Sequence, residues 1–192
     1  MIKIILVRHT EISITWKKRC YGISDVPLSR AGKLAIEPTA KRFAALCPRY
    51  IFHSGLSRTK LLATAIARQS DCHMSEDSAF QEMNFGNWES RLWTNIYLDV
   101  GHNMARLISE PSTYAPPQGE TIYGMRDRVM RALLQVWRND GTIIIVTHGG
   151  PIGAIHGTLK KIPAKDWLSL VPDYGKTLNL THADLSNLDD MM

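Results

Sequence analysis

Consecutive apolar residues mark three segments of the chain as strands of a sheet. Residues 2–7, with the sequence IKIILV, and residues 142–147, with the sequence TIIIVT, are apolar and β-branched almost throughout. Residues 50–53 repeat the pattern more weakly. A strand that is apolar on both faces is typical of a parallel sheet covered by helices. Each run ends abruptly in polar residues, so we expect three buried strands.

Apolar residues with a spacing close to 3.6 predict helices between these strands. The clearest such stretch runs from Ile122 to Trp137 and is expected to end near Gly141. A second helix is expected after Ser57, because serine is a common residue at helix N-caps. Strands that alternate with helices predict an α/β fold, and we expect a three-layer sandwich around a mainly parallel central sheet.

The other segments fit a single domain of residues 1–192. Residues 30–46 also predict a helix, which Pro38 should kink or split. Residues 82–118 mix tryptophans, polar residues and the Pro116-Pro117 pair, and we interpret them as a small lid-like insertion.

Polar clusters follow the predicted strands at their carboxyl ends, where sheets of this class place their ligand sites. Arg8 and His9 follow the strand at residues 2–7, and His148 follows the strand at residues 142–147. Arg58 lies near the start of the helix that follows the strand at residues 50–53. One histidine alone would be weak evidence for function. Two imidazoles and two guanidiniums at one edge are suited to phosphoryl transfer. One guanidinium can bind two oxygens of a phosphate at once, and a neutral imidazole is a nucleophile.

The composition limits the class of protein, its partners and its cellular compartment. Apolar residues make up 44% and charged residues 21% of the 192 residues, as in ordinary globular proteins. The net charge of +5 favours anionic partners without choosing among them. Cys20, Cys47 and Cys72 form no C-x-x-C pair, so neither a zinc knuckle nor a dithiol site is indicated and a reducing compartment is favoured. With no signal peptide or membrane span predicted, we expect a cytoplasmic location.

Six short motifs follow one another along nearly the whole chain. They are Arg8-His9, Gly22-x-x-Asp25-x-Pro27-Leu28-Ser29, Ser54-x-Leu56-x-Arg58, Glu82-x-x-x-Gly86-x-Trp88-Glu89, Gly119-Glu120-Thr121 and Thr147-His148-Gly149-Gly150. In this order they resemble the motifs of the histidine phosphatase superfamily, which has a phosphoglycerate-mutase-like fold. Arg8-His9 alone would carry no such resemblance.

The resemblance implies a catalytic role for each matching residue. His9 would be the nucleophile that takes the phosphoryl group. Glu82 would protonate the leaving group and later act as general base. Arg8, Arg58 and His148 would form the phosphate pocket.

The resemblance also implies how substrate is bound. Tyr21 and Gly22 would belong to the substrate loop, and Gly149 would offer a backbone N–H to phosphate. Thr15 stands where many members have an asparagine that contacts phosphate, and Thr10 replaces the usual glycine. Members of this kind use neither a metal ion nor another cofactor.

Three segments resemble one branch of the superfamily in particular, the α-ribazole phosphatases. These segments are Arg8-His9-Thr10-Glu11, the Cys20-Tyr21-Gly22 stretch with the Asp25-Val26-Pro27-Leu28 that follows it, and Glu82-Met83-Asn84-Phe85-Gly86-Asn87-Trp88-Glu89. The branch removes the 5′-phosphate from the nucleotide-loop precursor late in cobalamin synthesis. The implied enzyme is therefore a metal-independent phosphomonoesterase for α-ribazole 5′-phosphate.

Three alternatives stay open: a broad-specificity sugar or nucleotide phosphatase, a phosphoglycerate-mutase-type enzyme, and a non-catalytic phosphate-binding protein. A mutase needs a site that excludes water, and the chain lacks room for a long capping insertion, which favours hydrolysis. We expect a small phosphorylated substrate as partner and neither nucleic acid nor a membrane. The oligomeric state, including a homodimer, is left open.

Overall fold

The computed structural model describes residues 3–185, which contain five β-strands and seven α-helices. The strands are β1 (Lys3–Arg8), β2 (Tyr50–His53), β3 (Met74–Glu76), β4 (Thr142–Thr147) and β5 (Thr177–Thr181). The α-helices are α1 (Arg30–Ala44), α2 (Ser57–Ser70), α3 (Trp93–Val100), α4 (Arg106–Ser109), α5 (Ile122–Trp137), α6 (Gly149–Leu159) and α7 (His182–Leu185). Short 3-10 helices cover Ile14–Trp16, Ser78–Phe80, Gly86–Trp88, Gly101–Ala105 and Ala164–Leu170.

The five strands form one mainly parallel sheet in the order β3-β2-β4-β1-β5. Strand β4 pairs in parallel with both β1 and β2, and β3 pairs in parallel with β2. Only β5, among the described strands, runs antiparallel, along the outer edge of β1. Because β1, β4 and β2 are neighbours with the same direction, their carboxyl ends meet at one edge of the sheet.

Helices cover both faces of this sheet, which confirms the predicted three-layer α/β sandwich. Alternate strand residues point to opposite faces. Ile4 and Ile143 pack with the apolar faces of α5 and α6. Ile5 and Ile144 pack instead with α1 and α2. The central strands are therefore apolar on both sides, as the sequence predicted.

The predicted strands agree closely with the observed ones. Strands β2 and β4 have the predicted bounds, and β1 ends one residue later than predicted, while Ile2 lies outside the described residues. The sequence did not predict β3 and β5, which form the two edges of the sheet. Edge strands are short or half exposed, so they lack the apolar run that marks a central strand.

Two details of the predicted helices were wrong. Leu56 is the N-cap of α2 and Ser57 is its first residue, with the Ser57 hydroxyl bound to Asp25. Helix α1 is not split, and it continues through Pro38 to Ala44. Pro38 is exposed and Leu34, whose carbonyl lacks a helical donor, is 70% exposed, so water can satisfy that carbonyl.

The 82–118 segment connects β3 to α5 and contains α3 and α4. Trp88 and Ile96 from this segment pack with Cys20 in a small apolar cluster of their own. The segment is therefore folded against the loop that follows β1. None of the helices within residues 3–185 is long and apolar enough to cross a lipid bilayer.

Candidate active site

The parallel pairing of β1 with β4 places two histidines side by side. Arg8 is in register with Thr147, and the next backbone bond runs from the N–H of His9 to the carbonyl of Thr147 at 3.0 Å. The imidazole centres of His9 and His148 are 5.2 Å apart, in an edge-on arrangement. The histidines that the sequence placed at two strand ends thus share one site.

His9 is held as a neutral imidazole with one nitrogen free. Its Nδ1 lies 2.7 Å from the carbonyl oxygen of Thr10. A carbonyl only accepts, so Nδ1 carries the proton and Nε2 carries the lone pair. Burial, followed by the positive charges of Arg58 and Arg8, lowers the pKa of His9 to about 3, although the bond to Thr10 opposes this. At neutral pH, His9 therefore presents an unprotonated Nε2.

His148 is neutral too, but both its nitrogens are occupied. Its Nδ1 accepts the Nε–H of Arg58 at 3.2 Å, so Nε2 carries the proton and donates to Ser54 Oγ at 2.7 Å. The Ser54 hydroxyl then donates to Thr59, whose hydroxyl donates to the carbonyl of Leu56. Burial and the charge of Arg58 hold the pKa of His148 well below its usual range. This buried chain of bonds orients His148 and Arg58 together.

Arg58 is fully buried beside His148 and is held by three hydrogen bonds. Besides its bond to His148, its Nη2 donates to the carbonyl of Gly22 at 2.6 Å and its Nη1 to the carbonyl of Ser24 at 2.7 Å. Within the described part of the chain, three of the five guanidinium N–H groups are used in this way. One N–H on each terminal nitrogen remains for the oxygens of a phosphate.

Arg8, the residue before His9, has an unused donor. Its Nη1 donates to the carbonyl of Pro172, and its guanidinium stacks on the ring of Tyr174 at 4.1 Å. The buried Nε finds no acceptor among the described residues. A Cβ on Gly149 would lie 3.6 Å from this Nε, so Arg8 faces the N-terminus of α6. Orphaned N–H groups beside a helix N-terminus suit a phosphate oxygen.

Glu82 lies at the same helix N-terminus. Its Oε2 accepts the backbone N–H of Gly150, and its Oε1 accepts that of Met83, both at 3.1 Å. A Cβ on Gly150 would be 2.1 Å from Glu82 Oε1, so the carboxylate occupies the space that the glycine leaves. Burial lowers the pKa of Arg58, and the nearby negative charge of Glu82 opposes that shift. Glu82 therefore joins the two histidines and two arginines at one site.

The predicted substrate residues differ in their positions. Tyr21 lies at the site, with its hydroxyl 3.4 Å from that of Tyr174, and burial raises its pKa. Gly22 is buried against Met83, and both its N–H and its carbonyl bind protein groups. Thr15 is exposed and bonds to Ser13. A phosphate contact by Thr15 stays a prediction that this geometry does not support.

The N–H of Gly149 finds no acceptor among the described residues and remains a candidate phosphate donor. It is the first residue of α6, where backbone N–H groups have no helical partner. Among residues 3–185, no group of three or more His, Cys, Asp or Glu side chains is placed to bind a metal ion.

A cavity of about 580 Å³ opens beside Glu82, Tyr21 and Gly150. The 82–118 segment forms one side of this cavity, and residues of α5 and α6 and of the 164–171 stretch form the other. Its walls are largely apolar and include Phe85, Trp93, Tyr97, Met104, Met125 and Trp167. Lys17, Arg19 and Lys165 also contribute to it. The site thus has a polar end at His9 and a large apolar space on the side of Glu82.

Sequence reasoning missed Tyr174 and gave no role to Ser54 or Glu89. Ser54 and Glu89 belong to motifs of the sequence, so a signal for them existed. Tyr174 lies in no motif. Its ring is 5.5 Å from that of His9 because the chain passes the carboxyl end of β1 just before it enters β5.

Comparison with known proteins agrees with this geometry. The family model of the histidine phosphatase superfamily (branch 1) matches residues 4–186. A probable phosphoglycerate mutase, GpmB, from Salmonella paratyphi C is 27% identical over 191 residues, which is 98% of this chain and 85% of the relative.

Two solved structures share the fold. A mycobacterial glucosyl-3-phosphoglycerate phosphatase has a TM-score of 0.80 and 22% identity, covering 92% of this chain and 88% of its own. A phosphoserine phosphatase from Entamoeba histolytica, in complex with 3-phosphoglyceric acid, has a TM-score of 0.81 and 21% identity, covering 95% and 92%. At these identities the likeness establishes the fold alone.

The family match spans nearly the whole chain, and the sheet, the paired histidines and the ordered motifs agree with it. The chain therefore belongs to the histidine phosphatase superfamily and is a phosphatase or mutase of that family.

Proposed function

We propose that this protein hydrolyses phosphomonoesters through a phosphohistidine formed on His9. The observation that carries the proposal is the state of His9. Its proton is held on Nδ1 by Thr10, its Nε2 is free, and the positive charges of Arg58 and Arg8 are near enough to help lower its pKa. A buried, neutral imidazole with a fixed tautomer is a ready nucleophile, since it needs no base to remove a proton.

In the first step, Nε2 of His9 attacks phosphorus and the bond to the ester oxygen breaks. Arg58 and Arg8 bind the non-bridging oxygens and stabilise the charge that spreads over them in the transition state. The leaving oxygen takes a proton from Glu82, which lines the apolar cavity and in this proposal carries that proton while the phosphate ester is bound.

In the second step, water attacks the phosphohistidine. Glu82, now a carboxylate, takes the proton from that water, and the bond between phosphorus and Nε2 breaks. Inorganic phosphate leaves, and both residues return to their starting states. Because two guanidiniums balance the phosphoryl charge, the proposal requires no metal ion or other cofactor.

For the substrate we propose α-ribazole 5′-phosphate, as the resemblance of the Arg8-His9-Thr10-Glu11 segment implies. The apolar cavity supports this choice, because the group that leaves with the ester oxygen must lie on the side of Glu82. Aromatic walls suit an aromatic base, and tyrosine and tryptophan also reach the polar sugar through their O–H and N–H groups. A phosphoglycerate is small and anionic and would leave most of this space unfilled.

Phosphate release with EDTA present tests both parts of the proposal. The panel contains α-ribazole 5′-phosphate, phosphoglycerates, sugar phosphates and nucleotides, with His9→Ala as the matched variant. We expect selective release from α-ribazole 5′-phosphate and a loss in His9→Ala on the order of 10⁴-fold or more.

The outcomes separate the alternatives. Release from other esters, still lost in His9→Ala, would keep the chemistry and remove the substrate. Phosphoryl exchange between phosphoglycerates without net release would identify a mutase. Activity near wild type in His9→Ala would remove the phosphohistidine route itself.

A further inference from the structure

Residues 22–24, here called the 22–24 loop, are bound from both sides by charged residues. On one side the buried guanidinium of Arg58 donates to the carbonyls of Gly22 and Ser24. On the other side lies the carboxylate of Glu89, a residue of the 82–118 segment. The loop therefore couples the position of Arg58 to that of Glu89.

Glu89 accepts hydrogen bonds from every backbone N–H of the 22–24 loop. The N–H of Gly22 lies 3.1 Å from both carboxylate oxygens, that of Ile23 lies 3.2 Å from Oε1, and that of Ser24 lies 3.1 Å from Oε2. The Ser24 hydroxyl and the N–H of Phe85 donate to the same carboxylate. Successive N–H groups that converge on one anion form a nest, which fixes the backbone strongly.

The fit between the loop and the 82–89 stretch leaves little freedom. A Cβ on Gly22 would lie 1.7 Å from the carbonyl oxygen of Met83 and 2.7 Å from Glu89 Oε1. Only glycine lets the backbone approach this closely. The position of the loop is therefore set by the carboxylate that binds its N–H groups.

The direction of the Arg58 guanidinium depends on this loop. Two of its three occupied N–H groups bind the carbonyls of Gly22 and Ser24, and these bonds decide where its two remaining N–H groups point. The third binds His148, so a shift of the guanidinium would disturb the second histidine too. Catalysis is sensitive to such shifts, since a displacement of about 1 Å can cost on the order of 10²-fold in rate.

We propose that Glu89 is a positioning residue of this active site, which acts by holding the 22–24 loop so that Arg58 presents its remaining N–H groups to the phosphoryl group. The proposal rests on the proposed function for its effect on turnover. Glu89 takes no part in the chemistry, because the donors that surround its carboxylate belong to the protein.

The test compares Glu89→Gln with wild type in the binding of orthovanadate and inorganic phosphate, measured by calorimetry, and in steady-state hydrolysis. Glutamine keeps the size of the side chain but replaces one acceptor oxygen by a donor. We expect about tenfold weaker binding of both anions and a fall in kcat/KM on the order of 10²-fold. Asp77→Asn is the matched control, because Asp77 also accepts a backbone N–H, that of Ala79, away from the loop. It should leave anion binding unchanged.

A double-mutant cycle distinguishes positioning from a merely structural role. If Glu89 acts through Arg58, Glu89→Gln should have little further effect on anion binding once Arg58→Lys is present. Additive losses in the double variant would overturn the proposal, as would unchanged anion binding in Glu89→Gln. If Glu89→Gln does not fold, Ser24→Ala, which removes one donor to the carboxylate, decides instead. It should weaken vanadate binding severalfold, and wild-type affinity would contradict the proposal.

Anion binding is measured without turnover, so the positioning role of Glu89 can fail or hold independently of the proposed hydrolysis. Should His9→Ala retain full activity, the phosphohistidine route fails while the coupling of Glu89 to Arg58 is still measured. Should the cycle show no coupling while His9→Ala is inactive, the positioning role fails and the proposed chemistry stands.

Discussion

At the scale of single residues, His9 and His148 are two neutral imidazoles that differ in their hydrogen bonds. Each has its tautomer decided by one neighbour, a carbonyl for His9 and an arginine N–H for His148. Of these two side chains, only His9 keeps a nitrogen without a partner among the described residues. This difference is the reason for proposing His9 as the nucleophile and His148 as the residue that orients Arg58.

Glu82→Gln should slow esters with poor leaving groups far more than activated aryl phosphates. A poor leaving group needs the proton of Glu82, while an aryl oxide leaves without it. We expect a loss of roughly 10²- to 10⁴-fold for alkyl phosphates and a much smaller one for aryl phosphates. Steady-state hydrolysis of a matched pair of esters measures the difference. Equal losses on both esters would contradict the role of Glu82 as general acid.

At the scale of secondary-structure elements, the start of α6 brings the proposed phosphate donor Gly149 next to Glu82, the proposed proton donor. Gly149 faces Arg8 with an N–H that has no acceptor among the described residues, and Gly150 gives its N–H to Glu82. A side chain at Gly149 would meet Val171 closely, and one at Gly150 would displace the Glu82 carboxylate. The Gly149-Gly150 pair is thus explained by what packs against it.

Gly150→Ala should therefore displace Glu82. The new methyl group would lie 2.1 Å from Oε1, so the carboxylate must move away from the leaving group. We expect kcat to fall on the order of 10²-fold for alkyl phosphates. Gly124→Ala in α5 serves as control, because its methyl group would meet only the Thr121 hydroxyl closely, at 3.1 Å, and activity should persist. Wild-type kcat in Gly150→Ala would show that the position of Glu82 is not critical.

At the scale of the whole molecule, the fold buries polar and charged side chains at the carboxyl edge of the sheet. Strands β1, β4 and β2 bring His9, His148 and Ser54 together, and two helical layers with the 82–118 segment remove water from them. This burial is the largest cause of the lowered histidine pKa values. It also links the stability of the fold to pH.

Stability should fall as the pH is lowered below about 6.5. The unfolded chain binds a proton at His9 with the ordinary histidine pKa of 6.5, whereas the folded protein binds it only when the pH approaches the lowered pKa of about 3. The unfolded state therefore takes up more protons between these values, and the contribution that is full above pH 6.5 is lost as the pH falls toward 3. His9 alone gives a slope of about 1.4 kcal/mol per pH unit in the free energy of unfolding.

Urea unfolding at several pH values between about 4.5 and 7.5 measures this slope. His9→Asn, which cannot be protonated in that range, should reduce the slope by about 1.4 kcal/mol per pH unit below about pH 5.5 and leave it nearly unchanged at the upper end of the range. An identical slope in His9→Asn and wild type would mean that His9 is not the group responsible.

Much of the fold and the core of the site could be predicted from the sequence. Strands β1, β2 and β4 are central, so they carry apolar runs that reveal them, whereas β3 and β5 are edge strands and carry none. Arg8, His9, Arg58 and His148 directly follow or begin predicted elements, so their meeting at one edge followed from the parallel sheet. Glu82 was identified by resemblance, since nothing in its local pattern distinguishes it from a solvated glutamate.

The sequence by itself determined the family, through six motifs in a fixed order, and the chemical character of the site. Those features are local, because each motif is a short run of residues along the chain. Only the tertiary structure decided which nitrogen of each histidine is free, that Tyr174 lies beside His9, that Glu89 holds the 22–24 loop, and that an apolar cavity adjoins Glu82. These depend on distances between residues far apart in the chain, such as the 153 positions that separate Tyr21 from Tyr174. They also depend on burial, which alters pKa values and hydrogen bonding only when the layers have packed.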